Sequence, residues 1–251
     1  VNPLLLTMIA TIHRYRSTLP GKRVELYAEI CDVFLGKRQQ ARDIKVDLSP
    51  AQCISVLQPL AYEMIVREER EIAFLDAQEV IKKPLELVHQ SMTPKDFLQM
   101  VENISGLLLE REQGSYYFAH LTFQEYLAAT YIRDQGQEAV LIAHLGESWW
   151  EETARLYSAQ TDATNVIEAC LNHVVPSTPH LMLAFECQEE ALKVQPTIKP
   201  QLDQALEQGA EDADPQRKKV VAETILKRRL KEMVPVQEGI YRDTSLILCA
   251  E

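Results

Sequence analysis

A capping side chain followed directly by proline recurs along this chain, and it restricts the fold more than any other feature. Asn, Ser, Thr and Asp can accept a hydrogen bond from the free amides that begin a helix. Proline suits the first helical position because no partner is needed there for its missing amide. The five pairs are Asn2–Pro3, Ser49–Pro50, Thr93–Pro94, Thr178–Pro179 and Asp214–Pro215. Because apolar residues also recur at intervals of three and four, the sequence predicts a mainly α-helical protein.

The predicted helices form two groups. The first group lies at about 3–16, 22–42, 50–67, 76–90, 94–105 and 122–134. The second group is made of shorter helices, at about 137–145, 149–159, 162–173, 179–194, 196–208 and 215–233. Each helix of the second group carries one apolar stripe, which predicts helical hairpins stacked in the manner of HEAT repeats. After Pro235 the helical pattern ends.

One segment interrupts the helical pattern. Two short apolar or aromatic runs, Leu107–Arg111 and Ser115–Phe118, lie on either side of a predicted turn at Gln113–Gly114. This arrangement is typical of a β-hairpin. A further candidate strand is Glu71–Leu75. The predicted fold is therefore mainly α, with a winged helix that carries a small β-hairpin, followed by an α-helical (HEAT-like) hairpin region.

Composition limits the classes of function. The net charge of −11 repels phosphate backbones, so a primary role in nucleic-acid binding is not expected. No apolar run approaches the roughly 20 residues of a membrane span, and the start of the chain lacks the basic region of a signal peptide. We therefore expect a cytoplasmic protein without a membrane partner.

Neither a metal site nor an independent enzyme is expected. The nearest approach to a ligand cluster is Cys170, His173 and His180, which is too few for tetrahedral zinc. The five scattered cysteines fit structural thiols better than disulfides. The chain contains no GxSxG motif of a serine nucleophile and no HExxH motif of a zinc protease. It also contains no GxxxxGK[ST] motif, which forms the phosphate-binding loop of P-loop proteins.

The stretch Phe118–Ala129, with the sequence FAHLTFQEYLAA, carries the most information. Thr122 and Glu125 have the spacing of a capping box, which places His120 two residues before the predicted cap. An imidazole at the positive end of a helix could bind an anion together with free amides. A partly buried histidine that donates to a backbone carbonyl is the alternative that the spacing alone favours. Phe123, one turn before Leu127, is predicted to face the core.

Phe118–Ala129 closely resembles the FxHxTFQEYxAA signature of the NACHT group of STAND NTPases, which includes animal NLR immune sensors and many bacterial proteins. Asn2–Leu6 resembles that family's NPLxL motif, and Leu19–Phe34 resembles the start of its winged helix. The resemblance spans residues 2–135. It implies the last helix of a small helical domain at 1–19 and a winged helix at 20–135. The helical pattern that follows predicts a helical domain at 136–235 and a C-terminal linker at 236–251.

The resemblance also implies roles for two residues. By position, Pro3 corresponds to the proline that contacts the nucleotide near its base, and His120 to the histidine that reaches the β-phosphate of ADP in the resting state. ADP or ATP with magnesium would bind to the parent protein, because the P-loop lysine, the magnesium-binding carboxylates and the sensor arginine have no counterpart in this chain. The implied function is a module that senses the nucleotide state of an upstream P-loop domain, with self-oligomerisation on activation and protein partners.

Two other functions remain open from the sequence. A DNA-binding winged helix would use residues 94–105 for recognition, but Lys95 is the only basic residue there, against Asp96 and Glu102. A helical scaffold for protein partners would use the second half of the chain. Candidate contacts there are Trp149–Trp150, for which a core position is the stronger interpretation, and the basic runs Arg217–Lys219 and Lys227–Arg229, for which a solvated face is.

Overall fold

A computed structural model describes residues 9–10, 12–13, 20–37, 48–111, 114–172, 178–210, 218–219, 221–222 and 225–226. The chain divides into two compact units, Val1–Gln135 and Gly136–Glu251. The mainly α-helical prediction is confirmed, and the small sheet lies in the first unit. Most of the helices predicted at 3–16 and 215–233 lie outside the described residues.

In the first unit, helices come before, between and after the three strands along the chain. Its elements are α1 (Arg23–Asp32), a short π-helical segment (Val33–Lys37), α2 (Pro50–Val66), β1 (Ile72–Ala73), α3 (Phe74–Val88), α4 (Pro94–Ser105), β2 (Leu108–Arg111), β3 (Ser115–Phe118) and α5 (Leu121–Asp134). The predicted helix at 22–42 is interrupted, since α-helical geometry ends at Asp32 and π-helical geometry follows.

Two of the predicted helix starts have the expected caps. At α2 the Ser49 amide donates to Gln52 Oε1 at 2.8 Å, and the Gln52 amide donates to Ser49 Oγ at 3.3 Å, which completes a capping box. At α4 the Asp96 amide donates to Thr93 Oγ1 at 3.2 Å. Gly106 ends α4 with a φ of 64°, the left-handed conformation that a residue without a Cβ adopts readily.

The sheet has three antiparallel strands in the order β1–β3–β2, one more than the hairpin alone. Within β2 and β3, Leu108 is opposite Phe118 and Arg111 is opposite Ser115. The Gly114 amide donates to the Arg111 carbonyl at 3.0 Å and so closes the turn, whereas the predicted turn residue Gln113 lies outside the described residues. Strand β1 confirms part of the candidate Glu71–Leu75, but α3 already begins at Phe74.

Helix α5 lies at the centre of the first unit and packs against α2. Thr122–Thr130 are all buried, so the helix is covered on every side rather than along the single stripe that was predicted. The Tyr27 ring on α1 meets Phe123 edge-on at 5.9 Å and lies 6.0 Å from the Tyr126 ring. These contacts hold the start of α5 in a fixed place.

The second unit is built from short helices. They are α6 (Glu138–Ala143), α7 (Glu151–Ser158), α8 (Thr164–Leu171), α9 (Thr178–Glu190) and α10 (Ile198–Ala210). Helix α9 packs against both α7 and α8, and α8 also contacts α6 and α10. Val166, Ile167 and Cys170 of the predicted apolar stripe are fully buried in these contacts. Residues 218–219, 221–222 and 225–226 are also helical.

Candidate functional site

His120 lies at the junction of strand β3 and helix α5. The preceding residue is held to the sheet, because the Ala119 amide donates to the Leu107 carbonyl at 2.9 Å. His120 itself has extended backbone geometry, with φ −143° and ψ 138°, and is the N-cap of α5. Its Nδ1 accepts a hydrogen bond from the Thr122 amide at 3.2 Å. The side chain therefore satisfies one of the amides that a helix start leaves free.

The prediction that Thr122 caps this helix is wrong. The helix begins at Leu121, and Thr122 lies inside its first turn with 9% of its surface exposed. The imidazole supplies the acceptor that the threonine hydroxyl was expected to supply. His120 is consequently the cap itself, and it lies closer to the positive end of the helix than the sequence predicted.

The cap defines the chemistry of the ring. A ring nitrogen that accepts from an amide carries no proton, so the neutral imidazole has its proton on Nε2. His120 is half-buried, and its ring meets the Phe123 ring edge-on at 6.4 Å. The arrangement thus fixes the tautomer of the neutral ring, with its N–H on Nε2.

Gln124 was not predicted as a functional residue. Its side chain is 1% exposed, and Nε2 donates to the main-chain oxygen of Glu69 at 2.9 Å. Glu125, the next residue, is 7% exposed. Hydrophobic periodicity does not identify buried polar residues such as these, because it predicts that polar residues face solvent. The available signal was their place in FAHLTFQEYLAA, between apolar residues on a helix that is buried on all sides.

The exposed face of α4 does not favour DNA recognition. Phe97, Leu98 and Val101 are fully buried, so this helix is anchored by its apolar side. Its exposed residues are Lys95, Asp96, Gln99 and Asn103. Two of these side chains are amides, but the single lysine lies beside an aspartate, so the exposed face offers little positive charge to a phosphate backbone.

The first unit matches a known family. Residues 23–132 fit the model of the winged helix-turn-helix domain C-terminal to NACHT. The match begins at the first residue of α1, ends within α5 and includes His120. This unit is a winged helix of the kind that follows a NACHT domain. No curated protein matches the chain.

The NACHT winged helix and the helical unit after it contain no cluster of three or more metal-binding side chains within the part of the chain that the structure describes. Cys170 is buried, which raises the pKa of its thiol to about 12. His180 lies against Gly146, and His173 lies outside the described residues.

The remaining candidate residues fall into three kinds. Trp150 is core, with 1% of its surface exposed, and stacks on the His144 ring at 4.5 Å, whereas Trp149 is half-buried. Lys218 and Lys219 of the basic runs are exposed on a helix. Pro3 and the basic run at 227–229 lie outside the described residues. None of the described helices combines the length and the apolar character needed to cross a membrane.

Proposed function

We propose that this chain is the nucleotide-sensing part of a NACHT-type STAND ATPase, in which the winged helix holds an upstream P-loop domain in its ADP-bound resting state. The observation that carries the proposal is the geometry of His120. Its Nδ1 is engaged by the Thr122 amide, so the opposite edge of the ring carries the Nε2 proton. A β-phosphate oxygen of ADP is the kind of acceptor that such a donor binds.

The surroundings of His120 support an anionic ligand. The N-terminus of α5 carries a partial positive charge, which favours a phosphate near its first turn. The histidine is half-buried and lies between a strand and the buried helix α5, so its position is held by the fold rather than by a loop. A donor that is fixed before binding loses little freedom when it meets its ligand.

The proposed switch has two states. With ADP bound, the contact from His120 joins the winged helix to the nucleotide domain. A γ-phosphate would displace this contact, and the two domains would separate. ADP, ATP and magnesium would bind to the parent protein, with Pro3 near the base. The chain described here would contribute contacts without catalysing hydrolysis.

The second unit is proposed to transmit or receive the signal. Its short, mutually packed helices support a HEAT-like arrangement, which offers long surfaces to a protein partner. Activation would include self-oligomerisation in the cytoplasm, and bacterial defence is the setting that the family resemblance suggests. A helical interaction scaffold without nucleotide sensing is the alternative. It is favoured if His120 does nothing beyond capping α5.

Two variants of His120 in the intact protein test the proposal. His120→Asn keeps an acceptor for the Thr122 amide, because asparagine is among the best capping residues, but it removes the distal N–H. It should speed ADP release by about ten- to a hundredfold, since one hydrogen bond to a charged group contributes about 1.5–3 kcal/mol. Release of a fluorescent ADP analogue from the purified full-length protein measures this rate.

His120→Ala is the companion variant. It removes both the distal N–H and the cap, so it should release ADP as fast as His120→Asn and also lose about 0.5–2 kcal/mol of stability. If His120→Asn releases ADP at the wild-type rate while His120→Ala melts early, His120 is a structural cap and the proposed function is wrong.

A further inference from the structure

Gln124 lies in the first turn of α5, four residues after the N-cap His120. Its side chain is 1% exposed, so its carboxamide needs hydrogen-bond partners inside the fold. The Nε2 atom donates to the Glu69 carbonyl at 2.9 Å. This bond joins the first turn of α5 to the segment between α2 and β1.

The segment that accepts this bond is itself held firmly. The Glu69 amide donates to the Met64 carbonyl at 2.9 Å, which ties it to the end of α2. Glu68 has a φ of 56° and is the one non-glycine residue with positive φ among the described residues. Together with the bond from the Glu69 amide, this left-handed residue forms a common helix-ending turn, which sets the position of Glu69.

The same segment leads directly into the sheet. Ile72 of β1 pairs with Tyr116 of β3, and Ser115 Oγ donates to Glu71 Oε2 at 3.2 Å. Glu71 also forms an ion pair with Arg111 of β2. From Tyr116 the chain runs through Phe118 to His120, so His120 lies on a closed path of contacts. The path passes from β1 to β3, through His120 to Gln124, and back through Glu69 to β1.

We propose that Gln124 is a positioning residue for His120. Its carboxamide closes the contact path and so fixes the start of α5, which sets where the Nε2 proton of His120 points. This inference rests on the proposed function, since it assigns Gln124 a role in the same ADP contact. Gln124 itself is buried and does not touch the nucleotide.

A double-mutant cycle in the intact protein tests the inference. Gln124→Met keeps the length of the side chain but cannot donate to the Glu69 carbonyl. With His120 present it should speed ADP release by about fivefold, the effect of one buried hydrogen bond. Combined with His120→Asn, it should add almost nothing, because both changes act on the same contact.

Gln58→Met is the matched control. The Gln58 carboxamide also binds α5, but at its far end, where Nε2 donates to Asp134 Oδ2 at 3.2 Å. This variant removes a more exposed side-chain bond to the same helix, far from His120, and should leave ADP release unchanged. The nitrogen spectrum of the His120 ring gives a second readout, since Gln124→Met should broaden or shift the Nδ1 and Nε2 signals while Gln58→Met should not.

The outcomes separate the two proposals. If His120→Asn leaves ADP release unchanged, the proposed function is wrong and the role of Gln124 is wrong with it. If His120→Asn speeds release but Gln124→Met does not, or if Gln124→Met has the same effect with and without His120, only the role of Gln124 is wrong. Should Gln124→Met fail to fold, Gln124→Asn provides the same comparison, because its shorter side chain keeps an amide that cannot span the same distance.

Discussion

At position 120 an imidazole takes the place of the hydroxyl or carboxamide that usually caps a helix. Ser, Thr, Asn and Asp dominate N-caps because a short side chain brings an oxygen back to the second or third amide. The His120 ring does the same with Nδ1, at 3.2 Å from the Thr122 amide. Because Nδ1 accepts from the helix, the neutral ring carries its proton on Nε2, on the far edge.

Gly146 shows how one missing Cβ can be required by the fold. Its φ is 91°, and a Cβ at this position would lie 2.4 Å from His180 Cε1. His180 is 8% exposed, so its ring has little room to move away. Gly146→Ala should therefore lower the free energy of unfolding by about 2 kcal/mol or more, since backbone strain and overpacking add. Urea denaturation of the purified chain measures this loss.

Gly136 is the matched control for this prediction. It has a φ of 63°, but no atom lies within 4 Å of the place where a Cβ would be. Gly136→Ala should cost only the backbone term, about 1 kcal/mol. Equal losses for the two variants would mean that His180 yields to the new methyl group.

At the scale of elements, the burial of helix α5 differs most from the one-sided burial that an amphipathic pattern predicts. Its buried stretch includes polar residues, among them Gln124 at 1% and Thr130 at 5% exposure. The Thr130 hydroxyl donates to the Tyr126 carbonyl at 2.8 Å, one turn before it. A central helix can bury such residues because each finds a hydrogen bond inside the unit.

The end of α2 gives a prediction at this scale. Glu68 occupies a left-handed position just after the helix, where glycine is the usual residue. Glu68→Gly should raise the stability by about 0.5–1 kcal/mol, because the Cβ that opposes this conformation is removed. Thermal melting of the chain would detect the gain. Glu69→Gly, at a position without positive φ, should lower the stability instead, and a loss in both variants would show that Glu68 is not strained.

At the scale of the whole molecule, the division between Gln135 and Gly136 separates the unit that contains the matched family domain from the second, helical unit. The 251-residue chain contains no P-loop sequence, and the P-loop supplies most contacts to a nucleotide in this class of protein. We therefore expect no measurable ATPase activity and only weak binding of ADP or ATP by this chain alone. Isothermal titration calorimetry with each nucleotide provides the measurement. Micromolar binding by this chain alone would contradict the proposal that the P-loop domain supplies most of the nucleotide contacts.

The sequence by itself determined the helical character, the starts of α2 and α4, the wing hairpin and the family. These features depend on neighbours along the chain. Ser49 and Gln52 lie three residues apart, and so do Thr93 and Asp96, so their hydrogen bonds are local. The FAHLTFQEYLAA motif located His120 for the same reason, because it could be read as one continuous stretch.

Only the tertiary structure decided what caps α5, what Gln124 does and how β1 joins the wing. The sequence predicted Thr122 as the acceptor, and the fold of β3 into α5 selected the imidazole of His120 instead. The partners Gln124 and Glu69 are 55 residues apart, and Glu71 reaches Ser115 across 44 residues. No local pattern encodes such pairs, since they meet only when α2, the sheet and α5 have packed together.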